Sequence, residues 1–280
     1  MLIREFQHEF GAEKPILGVV HVQSLPGSPN YGGSLEPIVD RAIRDAEAFA
    51  EGGAQAIILE NFHDYPFYPE TTEPETVAGM TFVGRAVAEA VDLPLGVQVL
   101  RNSWKSSLAI AYVLGARFIR LNILTDAMVA DQGLIQGAAH LALRYRKALG
   151  AESVKIFADL YSKHAAPLAR RPVAVVARDM VHRGMADAVI VSGEESADPP
   201  TEAQLREVKD AVPDVPIIIG SGMTPRSAAL LRIADGTIFG YGAHRDLDFT
   251  APVESGNIRA MAGALDTLRT NRVVGNKKFA

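Results

Sequence analysis

The chain contains no cysteine, which excludes disulfides, zinc–thiolate centres and thiol nucleophiles. The absence leaves the redox compartment open, because both environments tolerate it. There is no run of about 18 apolar residues that could form a membrane-spanning helix. The opening stretch, MLIREFQHEF, is charged and amphipathic and lacks the apolar centre of a secretory signal. Basic residues do not cluster beyond the pairs Arg170-Arg171 and Lys277-Lys278, and the formal net charge is −5. That is too little positive charge for a nucleic-acid footprint. A cytoplasmic, soluble protein with no nucleic-acid partner and no membrane span is therefore expected.

What is present is an ordinary globular balance: 280 residues, 48% hydrophobic and 22% charged. Eight short apolar runs punctuate it: ILGVVHV (16–22), QAIILEN (55–61), LGVQVL (95–100), RFIRLNI (117–123), KIFADL (155–160), DAVIVS (187–192), PIIIG (216–220) and GTIFG (236–240). Near-continuous Val, Ile and Leu mark strands buried on both faces, the signature of a parallel sheet covered by helices. The intervening segments carry helix start signals. Thr72 with Glu75, and Thr201 with Gln204, have capping-box spacing; Asp131 precedes a helix expected over 132–148; Thr224-Pro225 precedes another. Gly52-Gly53, Gly115, Gly150 and Gly184 supply the stops.

Eight strand–helix units in one chain of this length predict a single-domain (β/α)8 TIM barrel over 1–280, with 1–14 as an N-terminal extension and 272–280 as a tail. A doubly wound open sheet is the alternative, but the first strand is followed by QSLPGSPNYGG rather than G-x-G-x-x-G.

In such a barrel the site lies where strands end. His21, Glu60 and Asn61, Gln98, Arg101 and Asn102, Arg120 and Asn122, Asp159, Lys163 and His164, and Ser192 with Gly193 occupy successive strand ends or the loops just beyond. Any one of them could simply hydrogen-bond its own loop; convergence at six strand ends argues for a site. His63, His140, His182 and His244 are assigned ordinary packing or surface roles. Gly220, Ser221 and Gly222, paired with Gly240 and Gly242, offer unobstructed backbone amides ahead of a helix N-terminus, where many barrels hold a phosphate. Asp159 and Glu60 are candidate bases, and Lys163 or His164 a candidate acid or electrostatic stabiliser. Schiff-base chemistry at Lys163 is weaker than a role as a solvated or phosphate-steering cation. A divalent metal on Glu60, Asp159 and His21 or His164 has no motif behind it, so no cofactor is assigned.

The blocks HVQSLPGSPNYGG (21–33), AIILENFHDYPF (56–67), LGVQVLRNS (95–103), GARFIRLNILTDAMVADQGLIQG (115–137), ADLYSKHA (158–165), ADAVIVSG (186–193), GSGMTP (220–225) and ADGTIFG (234–240) together resemble the BtpA/SgcQ family across nearly the whole chain. The resemblance implies a phosphate-binding (β/α)8 barrel whose polar blocks fall on His21, Glu60, Asn61, Asp64, Arg101, Asn102, Arg120, Asn122, Asp159, Lys163 and His164. GYGAHRD (240–246) departs from a more usual lysine-containing segment. The expectation is an enzyme of lyase, isomerase or nucleosidase type acting on a small phosphorylated sugar or nucleoside-like metabolite, forming a homo-oligomer. The alternative implied by the family is a non-enzymatic factor in photosystem I biogenesis.

Overall fold

A computed structural model describes residues 1–193, 195 and 197–276, side chains beyond residue 268 excepted. Eight parallel strands close into a barrel: β1 (Ile16–His21), β2 (Ala56–Glu60), β3 (Leu95–Gln98), β4 (Phe118–Leu121), β7 (Lys155–Asp159), β9 (Ala188–Val191), β10 (Ile217–Ile219) and β11 (Gly236–Phe239). Each coincides with one of the apolar runs. Closure is made by β1, which pairs with β2 on one side (Leu17 opposite Ala56) and with β11 on the other (Leu17 opposite Ile238). Helices α2 (Glu36–Gly52), α3 (Pro74–Ala90), α4 (Trp104–Leu114), α5 (Ala139–Leu149), α6 (Val173–His182), α7 (Glu202–Ala211) and α8 (Ser255–Asn276) surround it. Among the described residues no helix is long and apolar enough to cross a membrane.

Strand side chains alternate between two faces, and the two faces form two separate cores. Outward residues such as Val20, Ile57, Leu59, Val97, Ile119 and Ile156 pack under the helices. Inward residues Leu17, Val19, Ala56, Ile58, Phe118, Phe157, Ile190, Ile218 and Ile238 fill the barrel. Phe118 and Phe157 stack at 4.4 Å between ring centroids. The Phe118 ring lies so close to β3 that a Cβ on Gly96 would approach it to 2.4 Å.

The expected extension 1–14 contains α1 (Ile3–Phe10), which closes the barrel floor. Phe6 and Phe10 are buried within the interior core and meet Phe157 and Phe118 at 5.9 and 5.7 Å. At the other end of the chain, 272–276 continue α8 instead of forming a tail, and 277–280 lie outside the described residues.

Three local expectations need correction. The helix expected over 132–148 begins at Ala139, because 127–136 form a hairpin, β5 (Ala127–Ala130) and β6 (Gly133–Gln136). Gly133, at φ 93°, takes the left-handed conformation that closes its turn. This hairpin adds β8 (Ala165–Pro167) to make an antiparallel sheet outside the barrel. Thr72 does not cap α3, which starts at Pro74 with Glu73 before it. The segment after β10 is a 3-10 helix, Pro225–Arg232, instead of an α-helix. Thr201 does cap α7, accepting from the amide of Gln204 at 3.2 Å.

The floor yields a prediction. Phe6→Ala should cost about 3–5 kcal/mol of stability, the range for truncating a buried aromatic ring, read as a shift in the urea unfolding midpoint.

Candidate active site

Extending each inward series by two residues reaches the barrel mouth, and the apolar filling stops there. Val19 is followed by His21, Ile58 by Glu60, Phe118 by Arg120 and Phe157 by Asp159. On the remaining strands the next inward residues are Gln98, Ser192, Gly220 and Gly240. Of these, His21, Glu60, Arg120, Gly220 and Gly240 line one cavity with Lys163, Ser221, Gly222, Met223, Tyr241, Phe62 and Phe249. It holds about 400 Å³ of empty space, counting the part open to solvent.

One side is organised by charge. Arg120 donates from Nε and Nη2 to the two oxygens of Asp159 at 3.0 and 2.9 Å, and Asn122 Nδ2 adds a third donor at 2.9 Å. Gln98 Nε2 donates to Asn122 Oδ1 at 3.3 Å, extending the network to β3. Both members of the ion pair are buried. Burial works against the guanidinium charge, but Asp159, followed by Glu60, outweighs it and raises the Arg120 pKa.

Glu60 and Lys163 are displaced toward neutral pH from opposite directions. Burial pushes the Glu60 carboxyl up, against the pull of Arg120 and Lys163. Burial, reinforced by repulsion from Arg120, lowers Lys163 to about 8, with Glu60 and Asp159 opposing. Lys163 is thus a cavity-wall group rather than a solvated loop lysine. Its loop is pinned by Arg101, whose Nη2 donates to Ser162 Oγ at 2.9 Å and also to the Lys163 carbonyl.

The glycine side works through the backbone. Among the described residues the amides of Gly222, Met223, Gly240 and Tyr241 donate to no acceptor. Gly222 has φ 65°, and a Cβ there would fall 2.1 Å from the Asp198 carbonyl carbon, so glycine is required twice over. Ser221 Oγ ties this turn to the previous loop, accepting from Gly193 N at 3.1 Å and donating to Asp198 O at 2.8 Å. The Gly220 amide is committed to the barrel ladder, bonding Val191 O at 2.9 Å. Thr224 N bonds Ser227 Oγ at 3.0 Å, and Pro225 has no amide hydrogen, so the uncommitted donors belong to the loop and not to the following helix. A Cβ on Gly220 would stand 3.6 Å from Arg120 Nη2, which places the guanidinium against the same turn. Ser192 Oγ, buried near Gly220, has no partner among the described residues. Gly242 is buried where a Cβ would meet Met223 O at 2.4 Å, allowing the two loops to approach.

Other expected site residues hold loops. Asn61 accepts from Leu100 N at 2.7 Å and donates to Asp64 at 3.0 Å, while Asp64 accepts from Leu25 N at 2.7 Å. Asn61 and Asp64 face a second cavity, beside Phe67, Tyr68 and Thr76. Asn102 exchanges two 2.9 Å bonds with the backbone of Ile123. His164 is exposed at φ 54° and is not among the cavity-lining residues. Among the described residues no group of three His, Asp or Glu is placed to hold a metal, so Glu60, Asp159 and a histidine do not gather as ligands.

The residues that sequence reasoning missed come from loops. Phe62 and Phe249 lie 4.8 Å apart and flank His21 at 4.6 and 5.0 Å. His244, given only a packing role, is fully buried and bonds His21. It arrives there because the loop after β11 is anchored from outside. Buried Asp45 on α2 accepts from Val253 N at 3.0 Å, and Asn257 on α8 donates to Ala243 O and His244 O at 3.3 and 3.2 Å. The only sequence signal was position, just beyond the eighth strand.

The model of the BtpA family matches residues 12–267. The chain belongs to the BtpA family. Its relatives include the photosystem I biogenesis protein BtpA of Synechocystis, 39% identical with 91% of each chain covered. An uncharacterized protein of Pyrococcus abyssi is 43% identical over 81% of this chain and 86% of its own. Among solved structures, N-(5'-phosphoribosyl)anthranilate isomerase of Pyrococcus furiosus superposes with a TM-score of 0.54 at 12% identity, covering 90% of this chain and 99% of its own. KGPDC of Streptococcus mutans gives 0.57 at 11%, covering 91% and 98%. At those identities the two structures establish the barrel alone.

In this BtpA-family barrel Lys163 opposes folding. Its folded-state pKa of about 8 lies below the ordinary 10.5, so the unfolded chain binds more protons between those values, and stability rises with pH across that window. Lys163→Met should therefore stabilise the protein at pH 7 by on the order of 1–3 kcal/mol. The gain over wild type should be full below pH 8 and fade between 8 and 10.5, as followed by paired thermal melts.

Proposed function

We propose that the chain is an enzyme acting on a small phosphorylated metabolite. The phosphate binds at the amides of Gly222, Met223, Gly240 and Tyr241, and Lys163 and Glu60 move protons at the neighbouring carbon skeleton. The observation that carries this reading is the single cavity in which uncommitted amides face a lysine near pKa 8 and a carboxyl raised by burial. Convergent loop amides are an anion cradle, and the Arg120 guanidinium against Gly220 adds positive charge to it. A carboxyl raised by burial and an amine lowered to about 8 have each moved toward the range in which side chains exchange protons at working pH. A solved barrel neighbour is named for a phosphoribosyl compound, which is consistent with phosphate use on this scaffold.

The hydrogen bonding supports a division of roles among the candidate acids and bases. Asp159 spends its oxygens on Arg120 and Asn122, so we assign it to orienting Arg120, with Glu60 as the base. Lys163, protonated below about pH 8, stabilises developing negative charge or supplies the proton. Isomerisation, carbon–carbon cleavage and glycosidic C–N cleavage all share this need for proton transfer beside an anchored phosphate.

The name of the Synechocystis relative supports a second reading, an assembly factor. Burying Glu60, Arg120 and Asp159 together, with Lys163 half-buried beside them, carries a desolvation cost that a scaffold does not need, which favours catalysis.

Thermal shift against inorganic phosphate and a panel of sugar phosphates tests the proposal. Binding at a hundredfold excess over Kd should add about 2.7 kcal/mol, a melting-point rise of a few degrees, with unphosphorylated sugars inert. Glu60→Gln should retain that rise and lose turnover. No rise with any phosphorylated compound would overturn the reading; a cellular role intact in both Glu60→Gln and Lys163→Met would favour the assembly factor.

A further inference from the structure

Two buried imidazoles and one carbonyl fix where the hydrogens sit on one wall of the cavity. His244 Nδ1 lies 2.7 Å from the carbonyl oxygen of Ala251, and His244 Nε2 lies 2.8 Å from His21 Nδ1. A carbonyl oxygen can only accept, so His244 Nδ1 carries a hydrogen. A neutral His244 then offers a lone pair at Nε2, and His21 Nδ1 must be the donor to it. Neutral His21 is left with its own lone pair on Nε2. That nitrogen has no hydrogen-bond partner among the described residues. It belongs to a ring that lines the cavity and rests against Gly240, where a Cβ would stand 2.9 Å from Cε1 and 3.3 Å from Nε2.

The opposite arrangement requires His244 to be an imidazolium donating at both ends. Burial opposes that charge, in a residue with no solvent exposure. The charged groups around it are Asp45, Arg41 and Asp248. Asp45 is committed to Arg41 at 2.8 Å and to the Val253 amide, so it leaves little for His244. Around His21 stand His244, His63, Lys163 and Arg120, all of which resist a positive ring in addition to burial. Phe62 and Phe249 pack against the His21 ring at 4.6 and 5.0 Å between centroids.

We infer that His21 is the fixed hydrogen-bond acceptor of the cavity, its Nε2 lone pair directed at the ligand, and that His244 is the residue that positions it. A fixed lone pair repels an anionic oxygen and attracts a donor. The ligand atom docked against His21 therefore carries hydrogen, as a hydroxyl or an amino group. With an amide cradle in the same cavity, the ligand class narrows to a phosphorylated polyol or amino alcohol and excludes a compound with a second anionic group at that position. This narrowing rests on the phosphate-binding reading above; the tautomer does not.

The test reads the tautomer directly in the ligand-free, full-length protein. Long-range proton–nitrogen correlation on ¹⁵N-histidine-labelled protein at pH 7 reports which ring nitrogen is bare, with His21 and His244 assigned by the signals lost in His21→Gln and His244→Phe. Both rings should show hydrogen on Nδ1 and a bare, downfield Nε2, and His21 should hold that pattern when the pH is lowered through the ordinary histidine range. In His244→Phe, His21 should shift toward the Nε2-protonated tautomer, a change that loss of packing alone would not produce. An Nε2-protonated or doubly protonated His21 in the wild type overturns the inference. An unchanged His21 tautomer in folded His244→Phe overturns the positioning role. Absence of phosphate binding with the Nδ1–H tautomer intact would remove the proposed function and leave this assignment standing.

Discussion

The bidentate pair between Arg120 and Asp159 is the interaction on which the mouth of this barrel depends. It takes two charges out of water, and the carboxylate is compensated by two guanidinium donors and Asn122. Once the pair is in place, Arg120 sets the field for its neighbours. It repels the ammonium of Lys163 and attracts the carboxylate of Glu60, while burial presses both toward their neutral forms. Glu60, followed by Asp159, pulls Lys163 back up, which keeps it near 8 and no lower. The same guanidinium reaches the glycine turn at Gly220, so the ionisable groups and the turn proposed to hold phosphate share one charge.

The lower half of the molecule makes this arrangement affordable. Phe6 and Phe10 close the floor and Phe118 and Phe157 stack above them, so water is excluded from below. A dry floor and walls leave the polar layer open only at the mouth, where charges interact more strongly than in bulk water. The candidate site thus lies where the inward series gives way to polar residues and glycine, at the C-terminal ends of the strands.

Much of this was legible from residue order, for a simple reason. A strand repeats every two residues, so Phe118, Arg120 and Asn122, or Phe157 and Asp159, announce a shared face without any tertiary information. The eight runs and the strand-end residues follow from that periodicity, and the glycine turns follow from conformational need. Loops have no such period. Asp131-Gln132-Gly133 reads as a helix start until Gly133 is seen to close a hairpin, and α1 reads as an amphipathic extension until its phenylalanines find the barrel floor. His244 reaches His21, and Phe249 the cavity, on a loop anchored to α2 and α8, more than 200 residues away along the chain in the case of Asp45 and Val253. His164 shows the converse: one residue past Lys163, it turns outward at a positive φ.

The account stands on Lys163 being a half-buried, largely desolvated amine in the field of Arg120 rather than a solvated loop cation. Its titration can be followed directly by nitrogen-detected NMR of lysine-labelled protein, with the Lys163 signal identified by its absence in Lys163→Met. A midpoint near pH 8 is the predicted result. A midpoint at the ordinary value of 10.5 would mean that the ammonium is fully hydrated, and the cavity would then lack the acid–base pair proposed for it.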